Sequence, residues 1–124
     1  MSKLRDASAE AHRTTVESSP ADIAAFLQDL LGQKLVALMV GVADHKTVGR
    51  WASDKRGPRG EHEERLRAIY QIVQLLVTEE SPYTVRAWFV GLNPQLDDES
   101  PARAISEGRT RDALVAAKSF LAGG

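Results

Sequence analysis

The chain has 124 residues, enough for one domain, or for one domain built of two small helical halves, with a modest core and no staples. It contains no cysteine, which excludes disulfides and thiolate metal sites, and no apolar run approaches the ~20 residues that span a bilayer. The formal net charge of −1 hides a division: residues 1–31 carry three basic and five acidic side chains, residues 32–60 six and two, and residues 61–124 seven and ten, so only the central block draws phosphate by itself.

Residues 1–18 are polar, rich in Ser and Thr, and lack a helical apolar period. They read as a mobile tail, and His12 within it is given no role. Ser19-Pro20-Ala21-Asp22 predicts a helix start, with Ser19 as N-cap, Pro20 at the first helical position and Asp22 as the early acid. Ile23, Phe26, Leu27, Leu30 and Leu31 follow at i, i+3, i+4, i+7 and i+8, one apolar face that Gly32 ends. Gln33 to Val40 is a second, short apolar helix, and Gly41-Val42-Ala43 is a turn. Asp44 to Ser53 reads as a third helix. Its Val48 and Trp51 face inward, which leaves His45, Lys46, Gly49 and Arg50 facing out. Ser53 to Gly60 is a basic loop with three turn-forming residues, either a phosphate-contacting loop or a solvated linker.

Glu61 to Thr78 predicts a long helix whose first turn is loaded with acid, as the macrodipole favours. Leu66, Ile69, Tyr70, Val73, Leu76 and Val77 repeat along it. Ile72 and Leu75 widen the stripe, which asks for a second cover from the final helices or from another copy of the chain. Ser81-Pro82 starts the next helix, which carries Val85, Trp88 and Phe89 and is released at Gly91. Asn93-Pro94 fixes a turn, because proline sets its own φ and pushes its predecessor out of the α region. Asp97, Asp98 and Glu99 place negative charge at the start of the following helix, where Ser100-Pro101 is the cap and Gly108 the end. The last helix runs from about Thr110 to Leu121, with Leu114, Val115 and Leu121 apolar and Gly123-Gly124 as a frayed end. No segment alternates with period two for long. The fold class is all-α: a mobile tail (1–18), a helix-turn-helix bundle (19–60), and a connecting helix with a small C-terminal helical region (61–124).

The residues of common catalytic and metal sites are not arranged for that work. The glycines sit at helix ends rather than in a phosphate loop, and no Ser, His and acid stand together. His62 among Glu61, Glu63 and Glu64 lacks the spacing of a metal helix, since adjacent helical positions do not face one another. Asp97-Asp98-Glu99 lacks the spaced oxygens and glycine of a calcium loop. No catalytic residue, metal or cofactor is assigned, and the chain reads as a binding protein rather than an enzyme.

Helix, glycine-containing turn, helix is the helix-turn-helix unit. The stretch Gln33 to Val42 resembles the second helix and turn of Xre-type DNA-binding domains, and Thr47-Val48-Gly49-Arg50-Trp51 resembles their recognition helix. From Gly41 to Trp51 the chain is one residue longer than that pattern. With the basic loop, this gives His45, Lys46, Thr47, Arg50, Lys55, Arg56 and Arg59 as candidate contacts to operator DNA.

Ala87 to Gly108 resembles the C-terminal toxin-binding domain of Xre-family antitoxins of the MbcA/ParS type. The matching residues are Trp88, Phe89, Asn93, Pro94, Leu96, Pro101, Ile105 and Gly108, with a final helix after them. The resemblance implies an antitoxin whose partner is a RES-domain toxin, a class whose known members consume NAD. It implies a homodimer that assembles with the toxin into a larger hetero-oligomer, with Trp88, Phe89, Asn93, Pro94 and Leu96 in the toxin-binding region. Lys118, Ser119, Phe120 and Leu121 join them as side chains near the end of the chain that could enter a cleft. Phe120 lies off the Leu114–Leu121 face, so it either anchors an interface or packs on the preceding helix. Two other functions fit the same residues: a helix-turn-helix regulator with no toxin partner, and a protein-binding adaptor that has lost DNA binding. Met1 to Arg5 are not followed by an apolar signal core, so a cytoplasmic protein with no membrane partner is expected.

Overall fold

The computed structural model describes residues 3–54 and 56–123. Among them are eight α-helices, one 3-10 turn and no β-strand. The helices are α1 (Lys3–Glu17), α2 (Pro20–Leu31), α3 (Gln33–Val40), α4 (Lys46–Ser53), α5 (Gly60–Leu76), α6 (Pro82–Val90), α7 (Pro101–Ser106) and α8 (Thr110–Leu121), with the 3-10 turn at Pro94–Leu96 between α6 and α7. The all-α class is as expected. No helix among the described residues is long and apolar enough to cross a membrane.

One local signal starts three of these helices. Ser19, Ser81 and Ser100 each precede a proline, and each hydroxyl accepts from the backbone N–H three residues on, at 3.1, 3.2 and 3.1 Å. The cap fills one of the four donors a helix start leaves open, and the proline occupies a position whose N–H has no helical partner anyway.

Helix α5 is the axis of the molecule, with α1, α2, α3 and α8 packed around it. Leu66, Ile69, Ile72, Val73, Leu75 and Leu76 are all fully buried, so both of its predicted stripes are covered within one chain. Helix α4 packs mainly on α2, α7 on α3, and α8 on α5 and α7. On α2, Ile23, Leu27 and Leu31 are buried, whereas Phe26 sits at the rim, edge-on to Tyr70 with ring centroids 5.4 Å apart.

The expected N-terminal tail is a correction. Residues 3–17 form α1, which docks on α5. Its inner face is Leu4, Ala7, Ala11 and Thr15, at i, i+3, i+7 and i+11. Only one of these is large, so an apolar-periodicity reading passes over it, yet small side chains let two helix axes approach closely. Residues 1 and 2 of that segment, and Gly124 at the other end, lie outside the described residues. The inner face of α8 also differs: Ala113, Ala116 and Ala117 are buried, Leu114 and Leu121 are half-buried, and Val115 is exposed.

Arginines from other helices close four helix C-termini. Helices α1, α2 and α3 have no basic residue in their own last turns. The Arg67 guanidinium donates to the carbonyls of Thr15 (2.6 Å) and Ser18 (2.9 Å) at the end of α1. Arg86 donates to Leu30 at the end of α2 (3.1 Å). Arg65 reaches two ends at once, Met39 of α3 (3.5 Å) and Ser106 of α7 (3.4 Å). Each cation meets orphan carbonyls and the negative end of a macrodipole, two effects of the same sign.

Candidate functional site

The turn between α6 and α7 shapes one wall of a groove. Asn93 holds it: its side-chain oxygen accepts from the Gln95 N–H (2.9 Å), and its carbonyl accepts from the Leu96 and Asp98 N–H groups (both 2.9 Å). Its own N–H donates to the Glu99 carbonyl (3.0 Å), which closes the loop. Asp97 and Asp98 take left-handed backbone, φ 55° and 65°. This corrects the expectation that they charge a helix start. They are turn residues, a conformation aspartate tolerates better than most side chains. Glu99 pairs instead with Arg109, which also holds Glu107 (3.1 Å) and stands near Asp112 (3.9 Å). The Glu107 hydrogen bond, then the charges of Glu99, Glu107 and Asp112, outweigh partial desolvation and raise the Arg109 pKa above its ordinary value. This cluster ties the turn to the start of α8.

The groove itself is a cavity of about 400 Å³ lined by Thr84, Ala87 and Trp88 of α6, Gly91 to Gln95 of the turn, and Ala116 and Phe120 of α8. Its walls are mostly apolar. Leu92 on its edge is 79% exposed and Phe120 is 38% exposed, large apolar side chains that the turn and α8 hold partly in solvent. Trp88 is nearly buried, and its indole N–H finds no acceptor within the described chain. A small-molecule-sized hollow of this kind with few polar groups has the form of a binding site.

The structure sorts the sequence-derived toxin-binding residues. Trp88, Asn93, Pro94 and Phe120 meet in the groove. Phe89 does not: it is fully buried and edge-on to Trp88, so it is core, a correction. Leu96 is likewise core, buried on the 3-10 turn that packs against α8. Leu121 packs half-buried on the core, away from the groove, and Lys118 lines a different depression, shared with α1. Ser119 is half-buried and outside the groove lining. The other lining residues, Thr84, Ala87, Gly91, Leu92, Gln95 and Ala116, are not among the residues the sequence pointed to. Leu92 carried a signal, a large apolar residue directly after a helix-ending glycine.

The candidate DNA-facing residues lie on α4 and the loop after it. Asp44 caps α4 by accepting from the Lys46 N–H (2.9 Å). Lys46 and Arg50 share the exposed face, and Arg50 donates to the Thr47 hydroxyl (2.8 Å). His45 and Thr47 are half-buried. Arg56 stands 3.7 Å from Asp54, and Arg59 is exposed just before α5. Lys55 lies outside the described residues. The loop is docked rather than detached: Pro58 is buried, and Gly57, at φ +63°, lies so close to Pro20 that an added Cβ would stand 2.8 Å from the proline ring. Two further corrections concern the helix interior. Gly49 faces the Gln33 amide rather than solvent, which a Cβ there would meet at 2.6 Å. Trp51 is only half-buried, with its ring tilted against His62 at 5.6 Å.

Among the described residues no three His, Cys, Asp or Glu side chains group so as to hold a metal ion. No family model, curated protein or solved structure matches this chain.

Proposed function

We propose that the chain is an antitoxin that binds and blocks a RES-domain, NAD-consuming toxin with its C-terminal helices and represses its own operon through α3, α4 and the basic loop. The groove is the observation that carries this reading. The resemblance drew Trp88, Asn93 and Pro94 from one stretch of sequence, and Phe120 came from another; all four line one hollow. Partly exposed Phe120 and exposed Leu92 beside a mostly apolar hollow are the kind of side chains that anchor a protein interface. On the other half, the exposed Lys46 and Arg50 on a short helix next to a docked basic loop support operator contact. A homodimer would supply the second half-site that such a small basic surface needs.

The test is co-expression with a RES-domain toxin. Cells carrying both should keep their NAD and yield a co-purifying complex, whereas cells with the toxin and a Phe120→Ala variant should lose NAD. NAD depletion unchanged by the wild-type chain would sink the antitoxin reading. It would leave the second reading, a DNA-binding regulator without a toxin, which the exposed basic face of α4 favours independently.

A further inference from the structure

A second depression, on the side of the molecule where α1, α5 and α8 meet, has a different chemistry. It is open to solvent, spans about 610 Å³ and is lined by Leu4, Arg5, Ser8, Ala9 and His12 of α1, Gln71 of α5 and Lys118 of α8. Arg5, Ser8, Ala9 and His12 fall at i, i+3, i+4 and i+7, a single face of α1. The helix separates its charges about this face: Asp6, Glu10, Arg13 and Glu17 run along the far side, where Glu10 and Arg13 pair with each other at 2.8 Å. No carboxylate lines the hollow, and three cationic or protonatable side chains from two helices do.

Lys118 and His12 are the informative pair. Lys118 is half-buried, and neither side chain has a hydrogen bond or ion pair among the described residues. His12 is exposed, so the pair stands at the rim of the depression, and cations with no carboxylate beside them gain from an anion that is brought to them. The position of Lys118 in the last turn of α8 suits the helix dipole but does not account for His12 lining the same hollow. Leu4 and Ala9 give the remainder of the lining an apolar character.

We propose that this hollow is a binding site for an amphipathic organic anion, a fatty carboxylate or a compound of like build. Its apolar body lies over Leu4 and Ala9, and its charged head lies between His12 and Lys118. The volume falls within the range of small-molecule pockets, and the charge pattern selects a monoanion with an apolar tail over a neutral amphiphile or a bare anion. The site is separate from the groove between α6 and α8 and does not depend on the antitoxin reading.

The experiment is an NMR titration of the full chain, following the His12 ring and Leu4 methyl signals. Three probes are compared while monomeric: decanoate, decanol and inorganic phosphate. Decanoate should shift both sets of signals and saturate, with decanol and phosphate each weaker by about tenfold or more, the worth of one charge-assisted contact. Lys118→Met, which keeps the aliphatic stem, should weaken decanoate by about the same factor and leave decanol unchanged. Circular dichroism matching the wild type establishes that the variant is folded, and His12→Gln serves as the second variant. Equal affinity for decanol and decanoate overturns the proposal, as does a titration that never saturates. If the same signals move on simple dilution of the protein, a second copy of the chain covers this face, and the proposal falls.

Discussion

Trp88 and Phe89 stand edge to face with ring centroids 5.1 Å apart, and both are buried in the core, but only Trp88 also lines the groove. One step along α6 turns a side chain by about 100°, and that step gives Trp88 a face on the groove while Phe89 is enclosed on every side. Phe89 is fully buried and should behave as core. Phe89→Ala should cost about 3–5 kcal/mol in urea denaturation. Trp88→Phe should cost less than about 1.5 kcal/mol, because it keeps most of the ring and removes an N–H that has no acceptor to lose. Equal losses at the two positions would show that the Trp88 indole N–H makes a stabilising contact in the folded protein.

Phe120 is the point substitution that separates binding from folding. Truncation is a poor probe, since Ala117 is fully buried and Leu121 packs on the core, so removing residues 117–124 strips structure along with surface. Phe120→Ala leaves that core in place. It should melt within a few degrees of wild type and weaken toxin binding by about 2 kcal/mol or more, the effect of truncating an aromatic anchor. Calorimetric titration of the toxin with both proteins measures it. Unchanged affinity would move the interface away from α8.

Arg67 holds α1 to the rest of the chain by a contact that no local pattern announces. Its guanidinium serves carbonyls about fifty positions earlier and pairs with Glu63 at 2.8 Å on its own helix. Arg67→Met preserves the stem but removes the donors. The loss should be about 1.5–3 kcal/mol, the worth of hydrogen bonds to a charged group. It should fall first on α1, whose contact face is mostly small residues. Hydrogen exchange resolves this: amides of residues 3–17 should exchange faster while those of α5 keep their protection. Faster exchange across the whole molecule would mean that α1 is part of the global folding unit.

What the sequence revealed and what it hid have separate physical causes. Ser-Pro starts and glycine stops are local chemistry, and they placed α2, α6, α7 and α8 to within a residue or two. The α5 stripes were legible because its residues are large. Helix α1 was missed because Ala7, Ala11 and Thr15 bury little area each, and periodicity weighted by hydrophobicity does not register them. The alanine face of α8 was passed over for the same reason, in favour of the larger Val115. In the groove, Trp88 and Phe89 could not be told apart, since both lie on α6 and only the packing of α7 and α8 decides which is enclosed. The left-handed pair Asp97 and Asp98 reads, in one dimension, like any acidic helix start.

On the proposed reading, Arg50 is the residue on which operator recognition should turn. It lies on the exposed face of α4, and the Thr47 hydroxyl accepts from its Nη2 at 2.8 Å, which restrains a long side chain before any DNA is present. Restraint lowers the ordering cost of a contact, so Arg50 is better prepared for a base edge than Lys46, which has only its charge to offer a phosphate. The two substitutions should therefore differ in kind. Arg50→Ala should weaken operator binding by about 1–3 kcal/mol and relax preference at one base position. Lys46→Ala should weaken binding to all sequences alike and lower the slope of log affinity against log salt by about one. Thr47→Val keeps the shape of the helix surface and removes the acceptor, so it should reproduce part of the Arg50→Ala loss without its change in preference. Fluorescence anisotropy against operator and scrambled duplexes, across a salt series, distinguishes these outcomes. Protection from the toxin should survive all three, because the groove is built by α6, its turn and α8, which share no side chain with α4. Operator affinity unchanged by Arg50→Ala would remove that residue from the reading surface and leave the basic loop as the principal DNA contact.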